Sequence, residues 1–202
     1  NSARSSTIFH QPDFLAYHGS RFGNREAYLA WHKGDQIFAV MPAALFDDCK
    51  RKTLHSPYGA SFGGIVPKTS LKLKDSIEVV DGLVEFCKRE SVDDVVITFP
   101  PQIYLSKSND ALFFALERVG FALKARDVFS VVDISSGYEC VWGNYEGRAR
   151  TVVRKCGPNF EIYTDISLKD FYPILLEDKK RFGSKPTHSL DELLRIKKRS
   201  YD

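Results

Sequence analysis

Ala27-Tyr-Leu-Ala-Trp31 and Gln36-Ile-Phe-Ala-Val-Met41, joined by His32-Lys-Gly-Asp35, read as one β-hairpin. Two apolar-rich runs flank a short turn whose glycine tolerates the backbone reversal. The second run is too apolar to face water on both sides, so the sheet it belongs to must be covered. Working outward, Arg51–His55 reads as a third strand. It leads into the loop Ser56-Pro-Tyr-Gly-Ala-Ser-Phe-Gly-Gly-Ile65. From Leu71 to Glu90, Leu73, Ile77, Val80, Val84 and Cys87 recur at three- and four-residue steps, one apolar stripe of a helix. Asp94–Phe99 is a strand stopped by Pro100-Pro101. Ser108 or Asn109 caps a helix carrying Ala111, Leu112, Ala115, Leu116 and Val119, ended by Gly120. Phe121–Ile134 reads as two further strands, and Thr7–Phe22, before the hairpin, as a short helix. The order is helix, three strands, helix, strand, helix, strands.

The rest is helical and basic. Tyr145–Cys156 reads as a helix stopped by Gly157-Pro158, Phe160–Tyr163 as a strand, and Leu168–Phe182 as a helix. After Gly183-Ser-Lys-Pro-Thr-His188, Ser189 with Glu192 three residues later forms a capping box for a last helix. Residues 146–202 carry 13 basic and 9 acidic side chains, whereas 1–145 carry 16 and 17. The net +3 of the 202-residue chain therefore belongs to its last quarter, and a local basic face attracts phosphates. A solvated helix face is the plainer reading of the same residues.

Composition excludes whole classes. With 43% hydrophobic, 13% aromatic and 27% charged residues, disorder, collagen-like sequence and low complexity are ruled out. No run approaches the roughly 18 apolar residues of a membrane span, and Asn1–Ser6 lacks a signal-peptide core. The expectation is a soluble, cytoplasmic protein with no membrane span. Four cysteines at 49, 87, 140 and 156 form no Cys-x-x-Cys pair and read as buried, reduced thiols; the five histidines are scattered, so no metal is expected. Neither a Walker loop, a Rossmann fingerprint nor a Gly-x-Ser-x-Gly elbow is present.

Several pieces, in order, resemble one family. They are Thr7-Ile-Phe-His-Gln-Pro-Asp-Phe-Leu15, Met41-Pro42, Ser56-Pro-Tyr-Gly with Phe62-Gly-Gly-Ile65, Arg148 with Arg154-Lys155, and Lys185-Pro-Thr-His-Ser-Leu-Asp-Glu-Leu193. Together they resemble the FemAB-like branch of the GNAT N-acyltransferases, which carry two tandem GNAT folds, over essentially the whole chain. The resemblance implies an α/β fold with a mixed sheet flanked by helices. It implies a first unit at 1–145 and the opening elements of a second at 146–202, ending before that unit's sheet. The implied activity is transfer of an acyl group from acyl-CoA to an amine of an amino sugar or cell-envelope precursor, as in cell-envelope or polysaccharide biosynthesis. The acceptor, a small molecule such as a nucleotide-linked amino sugar, would lie between the units; the acyl-CoA site would lie largely outside this chain. The first unit departs from the coenzyme-binding pattern. Gly59, Gly63 and Gly64 have no Arg or Gln three residues before any of them. Two alternatives stand beside this reading: aminoacyl transfer from tRNA in peptidoglycan synthesis, for which the basic charge is thin, and a non-catalytic module binding nucleotide sugars.

Three constellations carry candidate chemistry. Tyr58, Gly59, Ser61, Phe62, Gly63 and Gly64 could let backbone N–H groups reach a ligand while an aromatic ring stacks on a sugar or base; a strand-to-helix turn is the bland alternative. On the basic helix, Arg148 stands near Arg150 and Arg154, which share a face and could clamp a diphosphate, with Lys185 beyond. His188, stiffened by Pro186, is the candidate base that takes a proton from an attacking ammonium. His55 is a second candidate, and His10, His18 and His32 read as structural.

Overall fold

The structure, a computed structural model, describes residues 6–105 and 108–199. The opening residues Asn1–Ser5, part of the start read above, and the closing Ser200–Asp202 lie outside the described residues. The chain divides into two compact units. One runs to Ala122 and resumes at Pro186, and the other is Leu123–Lys185. This division falls at 122/123 and 185/186, and the last helix belongs with the first unit.

The hairpin forms as its residues dictate. β1 (Glu26–Lys33) pairs antiparallel with β2 (Gln36–Asp47), with an irregularity between Trp31 and His32. β3 (Lys52–Ser56) pairs antiparallel with β2. A two-residue strand, β4 (Val66–Pro67), pairs with Val40 and Ala39 of β2. β5 (Asp94–Ile97) lies parallel to β3, with Leu54 opposite Val95. The result is a five-stranded mixed sheet in an α/β unit.

The parallel β3–β5 pair requires a crossover. The helix Leu73–Arg89 supplies it; it is α2, after the short α1 (Pro12–Leu15) near the start of the chain. Val79, Val80 and Leu83 of α2, and Leu112, Ala115 and Leu116 of α3 (Asp110–Arg118), bury against Ala39, Met41 and Ala43 of β2 and Leu54 of β3. Each fully buried Leu or Val there contributes about 1.5–3 kcal/mol. Ser108 Oγ accepts the Asp110 N–H at the head of α3, and Gly120 closes the helix at φ +97°. Side chains alternate along β2, so Ala44 faces the opposite side of the sheet from Ala43. There it meets a second cluster of Leu15, Phe22 and Tyr58.

That second face is covered by the N-terminal segment. The single helix expected over 7–22 is broken into a 3-10 turn (Ile8–His10), α1 and another 3-10 turn (Ala16–His18). The cause is local. The Thr7 N–H donates to His10 Nδ1 at 3.1 Å, Pro12 has no N–H to continue a helix begun before it, and Gly19 at φ +59° stops the chain.

The unit Leu123–Lys185 holds α4 (Tyr138–Asn144), which the sequence reading did not include, α5 (Gly147–Cys156) and α6 (Leu168–Arg181). Ser167 Oγ accepts the Asp170 N–H to cap α6. The strands expected over Phe121–Ile134 and Phe160–Tyr163 are not formed. These stretches carry β-favouring side chains, but a strand exists only with a ladder partner, and none pairs with them among the described residues. Val128, Ile134 and Ile162 are exposed. The cysteines are free, but Cys49, Cys140 and Cys156 are exposed rather than buried, and Cys87 is half-buried. Among the described residues no helix is long and apolar enough to cross a membrane.

Candidate functional site

α7 (Leu190–Arg199) starts where the sequence places it. Ser189 Oγ accepts the Glu192 N–H at 3.2 Å, and the Ser189 N–H donates to Glu192 Oε2 at 2.8 Å. This reciprocal cap fixes the Glu192 carboxylate at the helix head. The head docks on the 3-10 turn Ala16–His18. Arg195 donates to the Tyr17 carbonyl at 3.1 Å, and Arg21 to the Thr187 carbonyl at 3.0 Å.

Docking brings together residues some 170 positions apart in the chain. Glu192 is 6% exposed and His18 2%. His18 Nδ1 lies 3.4 Å from Glu192 Oε1, and Arg21 donates to Oε1 and Oε2 at 3.2 and 3.4 Å. His188 Nδ1 stands 4.0 Å from Oε2, its side chain 27% exposed. The Tyr17 ring meets both imidazoles edge-on or tilted, at 3.9 Å from His18 and 5.5 Å from His188. Burial alone would raise the Glu192 carboxyl. The Ser189 N–H, His18 and Arg21 together outweigh it and hold the group down to about 2. The carboxylate is thus ionised at neutral pH. Burial holds His18 below the usual histidine range despite the facing carboxylate. Burial, reinforced by the Glu192 charge, pushes the Tyr17 phenol up to about 12.

The glycine loop joins this cluster at one point. Tyr17 donates to the Gly59 carbonyl at 2.8 Å. Gly59 sits at φ +61°, and a Cβ there would overlap the His18 ring, so no other residue fits. The remaining loop residues divide by role. Gly63 N–H donates to the Thr98 carbonyl and Gly64 N–H to Ser56 Oγ, both at 2.8 Å, so neither amide is turned to a ligand. Tyr58 is 2% exposed and its hydroxyl meets that of Tyr28 at 2.5 Å, so its ring is not available for stacking on a sugar or base. Burial pushes its phenol up as well. Phe62 does reach the surface. With Ser6, Thr7, Phe9 and Tyr104 it lines an open pocket of about 330 Å³. Phe9 and Tyr104 stand 6.0 and 6.3 Å from the Phe62 ring. Ser61 is exposed.

Arg148, Arg150, Arg154 and Lys185 belong to the other unit. Arg150 donates to the Gly143 carbonyl at 2.9 Å, and the Arg154 guanidinium lies 5.5 Å from the Trp142 ring, which stacks on Tyr138. Arg148 and Lys185 are exposed. His55, the second base candidate, packs on Phe46 with centroids 5.0 Å apart, on β3.

Two expectations of binding chemistry meet the geometry here. The start of α2 is where a helix could cradle a pyrophosphate. Asp75 holds that place with its own carboxylate, accepting the Lys72 N–H at 3.3 Å and pairing with Lys33, so an anion there meets a negative charge. The scattered histidines, by contrast, are partly gathered. Donor atoms of His18, His188 and Glu192 lie within 4.8 Å of one another, a set that could hold a divalent cation. Such an ion would share its carboxylate with Arg21. Sequence reasoning singled out His188, read His18 as structural, took Glu192 only as a cap and did not consider Arg21 or Tyr17. The one local signal was the four-residue step from His188 to Glu192.

Neither a family model nor a curated protein matches the chain. Among solved structures it is similar to two of the protein TTHA1254 from Thermus thermophilus. A single-residue mutant of that protein is 14% identical with a TM-score of 0.37, over 64% of this chain and 95% of that one. The wild type is 16% identical with a TM-score of 0.35, over 55% and 72%. Any functional reading therefore rests on the site itself.

Proposed function

We propose that the protein is a GNAT-type N-acyltransferase that moves an acyl group from acyl-CoA to an amine of an amino sugar or cell-envelope precursor. The observation that carries this reading is the half-buried His188 imidazole beside an ionised carboxylate, next to the contact between His18 and Gly59 at the head of the glycine loop. Acyl transfer to nitrogen needs a free amine, because an ammonium has no lone pair to attack with. In the proposed step the amine nitrogen attacks the thioester carbonyl, the N–C bond forms and the C–S bond breaks. His188 takes the nitrogen's proton, and coenzyme A leaves as a thiolate that is protonated from solvent. Positioning of the two substrates is the other main term. The aromatic pocket of Phe9, Phe62 and Tyr104 suits the ring of a sugar or base on the acceptor.

The pocket also favours one rival, a module that binds nucleotide sugars without chemistry. The test is to incubate the protein with acetyl-CoA and a panel of amino sugars and UDP-linked amino sugars, measuring N-acetylated product by mass spectrometry. Product that depends on His188 supports the transferase. Saturable binding of the UDP-sugar with no product supports the module.

A further inference from the structure

We propose that His18, His188 and Glu192 form a binding site for one divalent transition-metal ion, Zn²⁺, and that the bound ion takes His188 out of proton transfer. The ion's binding does not depend on the acyl-transfer reading; its effect on proton transfer does. Two imidazoles and a carboxylate are a donor set for Zn²⁺, whereas Mg²⁺ and Ca²⁺ favour oxygen ligands throughout. Ligands at about 2.0–2.1 Å in a tetrahedral shell lie roughly 3.3–3.4 Å from one another. His18 Nδ1 and Glu192 Oε1 are 3.4 Å apart, long for a hydrogen bond but at the spacing of two ligands on one ion. His188 Nδ1 is buried and stands 4.0 Å from Oε2, beyond hydrogen-bond reach of that oxygen and a small side-chain shift from the ligand spacing. One donor atom from each of the three residues lies within 4.8 Å of the other two.

The surroundings hold these groups in place. The Tyr17 ring packs 3.9 Å from the His18 ring and 5.5 Å from that of His188. The Ser189 N–H fixes Oε2 at 2.8 Å, the kind of outer contact that orients a metal ligand. Arg21 competes with an ion, because its guanidinium donates to both carboxylate oxygens. Its side chain is 43% exposed and also donates to the Thr187 carbonyl, so it can withdraw toward water as an ion enters. Coordination through His18 Nδ1 puts that ring's proton on Nε2, which is buried against Gly59. One buried N–H without an acceptor costs less than coordination of a divalent ion contributes. On His188 the ion occupies the Nδ1 lone pair, and the single proton of the neutral ring then sits on Nε2. The coordinated ring has no lone pair left for the amine's proton, so the ion stops acyl transfer.

The experiment titrates the whole, untagged protein at pH 7.5, stripped of metal by a chelator and without substrate. Zn²⁺ binding is read by calorimetry, and Co²⁺ binding by its visible d–d bands. Cys49→Ser, Cys140→Ser and Cys156→Ser remove the exposed thiols, which would otherwise bind the same ions. One ion per chain is expected, with Co²⁺ bands of tetrahedral intensity. His188→Ala and Glu192→Gln, with far-ultraviolet circular dichroism unchanged, should each weaken binding by more than about 100-fold, beyond the effect of losing an outer contact. Absence of the d–d bands with all three ligands present overturns the proposal, and needs no variant to be seen. So does binding that both variants leave unchanged. Zn²⁺ should also abolish amide formation from acetyl-CoA, and a chelator should restore it. Undiminished turnover at saturating Zn²⁺ overturns the effect on proton transfer. Absence of product with and without the ion refutes acyl transfer, and that effect with it, while the binding titration judges the site separately.

Discussion

Replacing Glu192 by Gln tests how much the cluster contributes to stability. The carboxyl is held down from 4.5 to about 2 in the folded chain. At about 1.4 kcal/mol per unit, that difference is on the order of 3 kcal/mol at neutral pH. Breaking a buried pair by removing one partner costs about 3–5 kcal/mol. Two features lower the figure here. The Arg21 side chain is 43% exposed and can return to water, and the Gln oxygen can still cap the Ser189 N–H. A loss of about 2–3 kcal/mol is expected at pH 7.5. The assay is urea unfolding followed by Trp31 fluorescence in a Trp142→Phe background, so that only the unit containing the site reports. The sign of the pH dependence follows from the depressed value. Stability from Glu192 is fully present above its unfolded value of 4.5 and is lost as pH falls toward about 2. The gap between wild type and variant should therefore close through that window. His18 adds a separate loss to the wild type. Its value is lowered, so the unfolded chain gains a proton first, and stability falls as pH drops below 6.5. A gap under about 0.5 kcal/mol at pH 7.5, or one that persists unchanged at about pH 2, refutes the reasoning.

Gly59→Ala should destabilise the chain by about 2–4 kcal/mol, since the added Cβ would overlap the His18 ring in a left-handed backbone; a melting temperature within about 1 °C of wild type would contradict this. Leu83→Ala, fully buried between α2 and the sheet, should cost about 2–5 kcal/mol by urea unfolding. Arg154→Ala separates the two readings of the basic helix. A phosphate-binding role predicts a rise in acceptor KM of roughly 10-fold or more. A role confined to the Trp142 stack predicts unchanged KM and a stability loss of about 0.5–1 kcal/mol.

What was legible in the sequence was local. The hairpin, α2, β3, β5 and the Ser189–Glu192 cap depend on side-chain periodicity and on groups within a few residues of one another. β4 has only two residues, Val66 and Pro67, and exists because β2 continues past β3 to meet it. Residues 121–134 show the converse. Their β-favouring composition is plain, yet among the described residues no strand pairs with them, so propensity alone misleads. The site divides along the same line. His188 stands out by its place in a stiff loop before a capping box. His18 does not, because its partner Glu192 is 174 residues away and joins it only when α7 returns to the first unit. The glycine loop shows the same dependence on distant groups. Gly63 and Gly64 look available to a ligand until the Thr98 carbonyl and Ser56 Oγ are seen to hold their N–H groups.

The central claim is that His188 removes the amine's proton, and the most direct measurement is the pH–rate profile of amide formation from acetyl-CoA and an accepting amine, for wild type and His188→Ala. The account predicts a fall in kcat of roughly 10²-fold or more at neutral pH. It also predicts a flattened acidic limb, because the titrating group is gone, with melting temperature within a few degrees of wild type. Near-normal kcat in a stably folded variant, with the acidic limb intact, would contradict it.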